Sequence, residues 1–265
     1  QPSRHPRPGL AMLGTRIASA LTPALGAIGF IALWAVVAAL ELIDPILLPS
    51  PQASALAIWE GFAGGSLVGD TVITIRRTLL AFVIAVAVCV PLGLALGSSV
   101  RVYRSLEFVI DFFRSTPASA LFPLFLVILG VGESTKVAVA AFGAGLLILF
   151  NTAYGVMNAR KTRQAAARVM GASPLRVMLG VTLLESLPQT LVGMRAGVSF
   201  SLVIVIVAEM FIGSTDGLGQ RVINAQSIFN MPEMYATIFS AGVLGYGLNL
   251  IFILIERRFV HWGGK

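Results

Sequence analysis

The chain of 265 residues is 57% hydrophobic and only 12% charged, with a mean hydropathy of +0.89. A soluble domain carries about twice that charged fraction, so the composition is that of an integral membrane protein. The net charge of +7 does not point to nucleic acid, because the basic residues cluster at the ends of apolar runs, where membrane topology accounts for them. Cys89 is the one cysteine and lies within an apolar run, while His5 and His261 sit near opposite termini. Neither a disulfide framework nor a metal cluster is expected.

Residues 1–20 read as a cytoplasmic N-terminal segment, of which 1–10 has the composition of a disordered stretch rather than a signal peptide. Residues 21–265 read as a single all-α transmembrane domain with six spans. The first, 23–43, slightly exceeds the ~20 residues a helix needs to cross ~30 Å of hydrocarbon. A proline-punctuated exit, DPILLPSP, follows at 44–51. Residues 52–62 carry apolar side chains at helical spacing with Trp59, and read either as an interfacial helix or as a loop helix packed on the bundle. The second span, 78–98, contains Pro91 and the small pair Gly93 and Gly97, which would let another helix approach closely. The third, 105–130, is broken at Arg114-Ser115-Thr116-Pro117, and the fourth is 136–158. A basic loop over 159–189 leads to the fifth span, 190–213, with a second pair at Gly193 and Gly197. A polar loop, 214–233, precedes the sixth span, 234–255.

Between spans, thirteen Lys and Arg fall on the side of the termini and the basic loop, and four on the other. The positive-inside rule therefore places both termini and residues 159–189 in the cytoplasm.

The stretch 160–195 holds six of the nineteen basic residues and one acid, Glu185. Thr162 is expected to cap a short helix over 164–170, and Gly171 suits the left-handed residue that ends it. Ser173 then caps a second helix with Pro174 at its first position, expected to run to Leu187 before Pro188. The expected product is a helix, a sharp glycine bend and another helix, shaped to be held by a partner.

No phosphate-binding loop, zinc-binding HExxH or nucleophile elbow is present, so an enzyme reading finds no chemistry to stand on. Arg114 lies nine residues into the third expected span, where an unpaired arginine costs at least ~2.5–3.5 kcal/mol. It reads either as a partner for carbonyls freed at Pro117 or as the lining of a transport path. Ser115, Thr116, Asn151 and Glu209 are further path candidates. The same polar residues also serve as bonds between helices, and Glu209 as an anchor or an arginine partner. An ion-driven secondary carrier would need a buried carboxylate relay, for which the third and fourth spans offer only Asp111 near one end.

Ala165-Ala166-Ala167-Arg168-Val169-Met170-Gly171-Ala172-Ser173, followed by apolar residues and Leu187-Pro188, resembles the EAA loop of ABC-importer permeases. Leu48-Pro49-Ser50-Pro51, the run from Arg114-Ser115-Thr116-Pro117 to Gly130-Val131-Gly132-Glu133, and Ala208-Glu209 through Gly217-Leu218-Gly219 fit the branch serving nitrate, sulfonates, taurine and bicarbonate. The resemblance implies a type I (MetI-like) permease fold in the bacterial inner membrane. It also implies two permease copies around one path for a small, anionic solute, with an extracytoplasmic binding protein delivering it. No cofactor belongs to this chain; ATP and Mg belong to a cytoplasmic ABC ATPase dimer. That partner would dock on Ala165, Ala166, Ala167, Arg168, Met170, Gly171, Ala172, Ser173, Leu175 and Arg176. The family's motif glutamate is replaced by Ala165, so either packing around Gly171 and Leu175 suffices, or Arg163, Arg168 and Arg176 find acids on the ATPase, or a different permease subunit supplies the glutamate.

Overall fold

The structure, a computed structural model, describes residues 25–259. The expected N-terminal segment, His5 and His261 lie outside the described residues. Helices α1 (Leu25–Ala39), α2 (Pro51–Ala63), α3 (Ser66–Gly97), α4 (Val100–Ser115), α5 (Phe122–Leu129), α6 (Glu133–Met157), α7 (Lys161–Val169), α8 (Pro174–Val177), α9 (Leu183–Phe211), α10 (Leu218–Ser227) and α11 (Met231–Phe259) follow one another, with no strand among the described residues.

Among the described residues four helices are long and apolar enough to cross a membrane: α3, α6, the unbroken stretch Pro174–Phe211 and α11. The expected third span is not one rod. α4 and the segment Ala118–Leu129 meet at 92°. The cause is local: Thr116 takes an extended conformation (ψ 124°), as a residue before proline prefers, and a 3-10 turn over Ala118–Leu121 turns the chain into α5. The first expected span is represented by α1, which ends at Ala39, four residues early; its expected start at Pro23 is outside the described residues.

α6 is the centre. In its most apolar window 56% of residues are buried, against 6% for α11, which therefore lies on the perimeter. α3 and α9 grip α6 from two sides, and their glycine pairs make the grip close. A Cβ on Gly93 would lie 2.7 Å from the Thr152 Cβ, and one on Gly97 2.6 Å from the Ala153 carbonyl oxygen. On the other side, a Cβ on Gly193 would lie 2.5 Å from the Asn151 Cβ, and one on Gly197 2.9 Å from Ile148. The small-residue pairs do what their spacing predicts: they bring backbones together where lipid offers helices no hydrophobic reason to associate.

Two boundaries depart from expectation. α3 begins at Ser66, twelve residues before the expected Thr78, and at ~1.5 Å per residue its 32 residues span ~48 Å, well beyond the hydrocarbon. Asp70, Thr74 and Arg77 fall on one helical face in this extension and are paired there, so the polar residues lengthen the helix instead of ending it. The second loop helix does not stop before Pro188. It passes through a π-helical turn at Met178–Thr182 and continues as α9, with Pro188 inside. A proline within a membrane helix is tolerated where neighbouring helices accommodate the freed carbonyl. The expected loop 214–233 also contains a helix, α10.

Gly97→Ala is expected to cost ~1–3 kcal/mol of resistance to SDS-driven unfolding, because the methyl must displace backbone. Gly69→Ala on the same helix, with nothing within 4 Å, should be neutral or gain up to ~1 kcal/mol. Equal effects of the two would show that the α3–α6 approach is not limiting.

Candidate functional site

The basic loop forms a knob. α7 starts at Lys161, not one turn later, and Thr162 is not its cap: Arg160 occupies the N-cap without a side-chain bond. Glu185 on α9 does this work from a distance, accepting the Arg160 N–H at 2.5 Å and Arg163 Nη1 at 2.8 Å. The loop's single acid therefore clamps α7 onto α9, and Arg163 is engaged within the chain. Gly171 bends the chain at φ +85°, a conformation that disfavours a side chain. Ser173 then accepts the Arg176 N–H, with Pro174 at the first position of α8.

The knob's tip is apolar and uncovered. Val169 is 89% exposed, Met170 81% and Leu175 67%. Ala165, Ala166, Arg168, Gly171, Ser173 and Arg176 are exposed around them, Ala172 is half-buried, and Ala167 is buried against the chain. Because α8 is continuous with α9, and Glu185 ties α7 to the same helix, a displacement of the knob is carried directly into a membrane-spanning element.

Of the path candidates, Arg114, Ser115 and Thr116 meet at one cleft of about 170 Å³, together with Phe113, Gly143 and Phe200. Arg114 is not deep in a continuous span. It stands in the last turn of the amphipathic α4, half exposed, where a cation complements the helix dipole. Asp111 pairs with it at 3.2 Å, and its guanidinium lies 5.1 Å from the Phe150 ring centroid.

Asn151 and Glu209 lie elsewhere. Asn151 donates to the Leu147 carbonyl at 2.8 Å and accepts from Gln189 Nε2 at 2.7 Å, bonding α6 to α9. Glu209 is fully buried at the end of α9 far from the knob. Its carboxylate accepts from Thr74 Oγ1 at 3.0 Å, Arg77 Nη1 at 2.8 Å and the Gly219 N–H at 2.9 Å.

Arg77, only 4% exposed and just before the expected second span, is the hub of a network that sequence reasoning missed. Its guanidinium also binds Glu133 and Asp216, and Lys136 bridges Glu133 to Ser214. Gly217 sits at φ +103°, and a Cβ there would lie 2.5 Å from the Glu209 carboxylate. Next to it, Asp70 accepts the Gly217 N–H, and Arg221 joins Asp70 to Glu233. The signal was present as polar residues on one face at positions 70, 74 and 77, hidden by placing the helix start at Thr78.

The match to known proteins follows this architecture. Residues 87–262 match the family model described as binding-protein-dependent transport system inner membrane component. The chain belongs to that family. It is 34% identical over 218 residues to a "Probable ABC transporter permease protein" of Brucella melitensis biotype 1, covering 82% of this chain and 88% of that one. It is 30% identical to the taurine transport system permease protein TauC of Escherichia coli, covering 88% and 86%. The nitrate import permease protein NrtB of Leptolyngbya laminosa is 26% identical, covering 71% and 67%. An inward-facing conformation of the MetNI methionine ABC transporter superposes with a TM-score of 0.63 at 20% identity, covering 80% of this chain and 98% of that one, which identifies the fold. The chain is thus an ABC-importer permease, a transport protein rather than an enzyme, and the ion-driven carrier is not favoured. As an inner-membrane component of this family, it works with an ATPase and a substrate-binding protein.

Arg77→Met would leave Glu209 buried without its cation, and is expected to cost ~3–5 kcal/mol in SDS-driven unfolding. Arg77→Met/Glu209→Leu should recover part of that loss. A single variant as stable as wild type would show that the network is not what holds this end together.

Proposed function

We propose that two copies of this permease line one path for a small anionic solute. The knob, in the cytoplasm with both termini, docks into an ABC ATPase dimer that binds ATP and Mg. One observation carries the reading: three large apolar side chains, Val169, Met170 and Leu175, stand exposed at the tip of a cationic projection that is mechanically continuous with α9. Exposed apolar clusters rimmed by charge mark protein contacts. Ala165 offers no carboxylate to the ATPase and Arg163 is held by Glu185, so apolar packing with Arg176 carries the contact. The asymmetry of Lys and Arg between spans supports the cytoplasmic placement.

The names of TauC and NrtB support an anion, since taurine and nitrate both present oxyanion groups. Arg114, half exposed beside Ser115 and Thr116, is the cation in position to meet one. Asn151 and Glu209 act by holding the helices that frame the path. Two copies of one chain form the path, and the assembled mass of the purified complex tests that number.

The knob is tested by co-purification with the ATPase. Leu175→Asp and Gly171→Pro should lose the ATPase and its coupled hydrolysis while the permease remains folded. Retention of a fully coupled ATPase by Leu175→Asp would refute docking through the tip. Arg114→Ala in the assembled complex should lower binding-protein-dependent uptake about tenfold or more, the value of a hydrogen bond to a charge. Unchanged affinity and turnover would remove Arg114 from the path.

A further inference from the structure

A cleft of about 310 Å³ lies behind the knob, between the ends of α3 and α6 and the inner faces of α7 and α8. Its walls are mixed. Val100, Val156, Val177 and Met178 make an apolar side, while Lys161 and Arg168 bring two cations, and no acid lines it. Neither cation makes an ion pair or side-chain hydrogen bond among the described residues, unlike Arg163 and Arg77.

At the helix ends beside the cleft, Ser98 Oγ bonds the Leu94 carbonyl of α3, and Asn158 Nδ2 bonds that of Tyr154 on α6 at 2.8 Å. Lys161 and Arg168 present positive charge without a carboxylate partner among the described residues into a half-apolar recess at the mouth of a helix bundle. Basic pockets of that kind at the cytoplasmic face suit anionic lipid headgroups. A free phosphate would satisfy the cations but leave the valine and methionine wall without a partner.

We propose that this cleft binds the headgroup of an anionic phospholipid from the cytoplasmic leaflet, with Lys161 and Arg168 on the phosphate and the Val100–Val156 side against its glycerol and acyl root. The proposal rests on the cytoplasmic placement of the knob. A lipid seated there touches α3, α6 and the knob together, and so links the bilayer's charge to the position of the coupling element.

The test is native mass spectrometry of the purified full chain with added phosphatidylglycerol, phosphatidylcholine or inorganic phosphate. Wild type should retain phosphatidylglycerol in preference to phosphatidylcholine. Lys161→Gln/Arg168→Gln should bind it ~30-fold more weakly, the loss of two cations at a membrane surface. Arg101→Gln/Arg104→Gln, removing two exposed cations of α4 outside the cleft, should not change it. Equal retention of the two lipids, undiminished phosphatidylglycerol on the cleft variant, or displacement by inorganic phosphate would overturn the proposal. Sidedness is read separately: in a Cys89→Ser background, Ala172→Cys should react with an impermeant maleimide only after the cells are opened. Labelling from outside would overturn the placement, and with it the cytoplasmic leaflet as the source, whatever the lipid data show.

Discussion

The guanidinium of Arg77 is the point on which one end of the bundle depends. A charge that is 4% exposed is tolerable only with partners, and three carboxylates from three parts of the chain supply them: Glu133 at the start of α6, Glu209 at the end of α9, and Asp216 in the following turn. Thr74 and the Gly219 N–H complete the coordination of Glu209, and the Arg221 pairs with Asp70 and Glu233 extend the network to α10 and α11. α3 is longer than the hydrocarbon is thick, and the network joins its outer part to the ends of α6 and α9.

The opposite end is built differently. There the knob presents exposed apolar and basic side chains, and its internal ties are the Glu185 clamp and the unbroken passage from α8 into α9. α9 is therefore the element common to both ends, held by ions at one and joined to an exposed apolar tip at the other. Between them the glycine pairs bring α3 and α9 into close contact with α6. The π-helical turn at Met178–Thr182 lies where the knob joins the lever, as a local break in the regular hydrogen-bond ladder. On the proposed docking of the knob, rigid-body tilting of this packed block would turn ATP-driven closure of the partner into alternating access.

Much of this was legible in the chain. Gly171 at a left-handed bend, Ser173 as a cap with Pro174 behind it, and the glycine pairs as close-approach sites all follow from rules that operate within a few residues. What failed were predictions that asked a local signal to decide a long-range matter. Pro188 marks a helix end in water but sits inside α9, where neighbouring helices supply the environment. Arg77 fell outside the expected second span, 78–98, because its partners are 56 to 139 residues away. Arg114 looked deeply buried because hydropathy cannot see a 92° bend.

Composition and periodicity by themselves determined that the chain is helical, lives in a membrane, and carries a basic helix–glycine–helix element. Those properties are set by transfer free energies and backbone preferences that each residue brings wherever it is placed. Only the tertiary structure decided which charges are spent and which are free: Arg77, Arg163 and Glu209 are consumed in internal pairs, while Lys161, Arg168 and Arg176 make none among the described residues. The reason is that an ion pair is a contact between distant parts of the chain, and its existence depends on where the helices bring those parts, not on the residues that compose it.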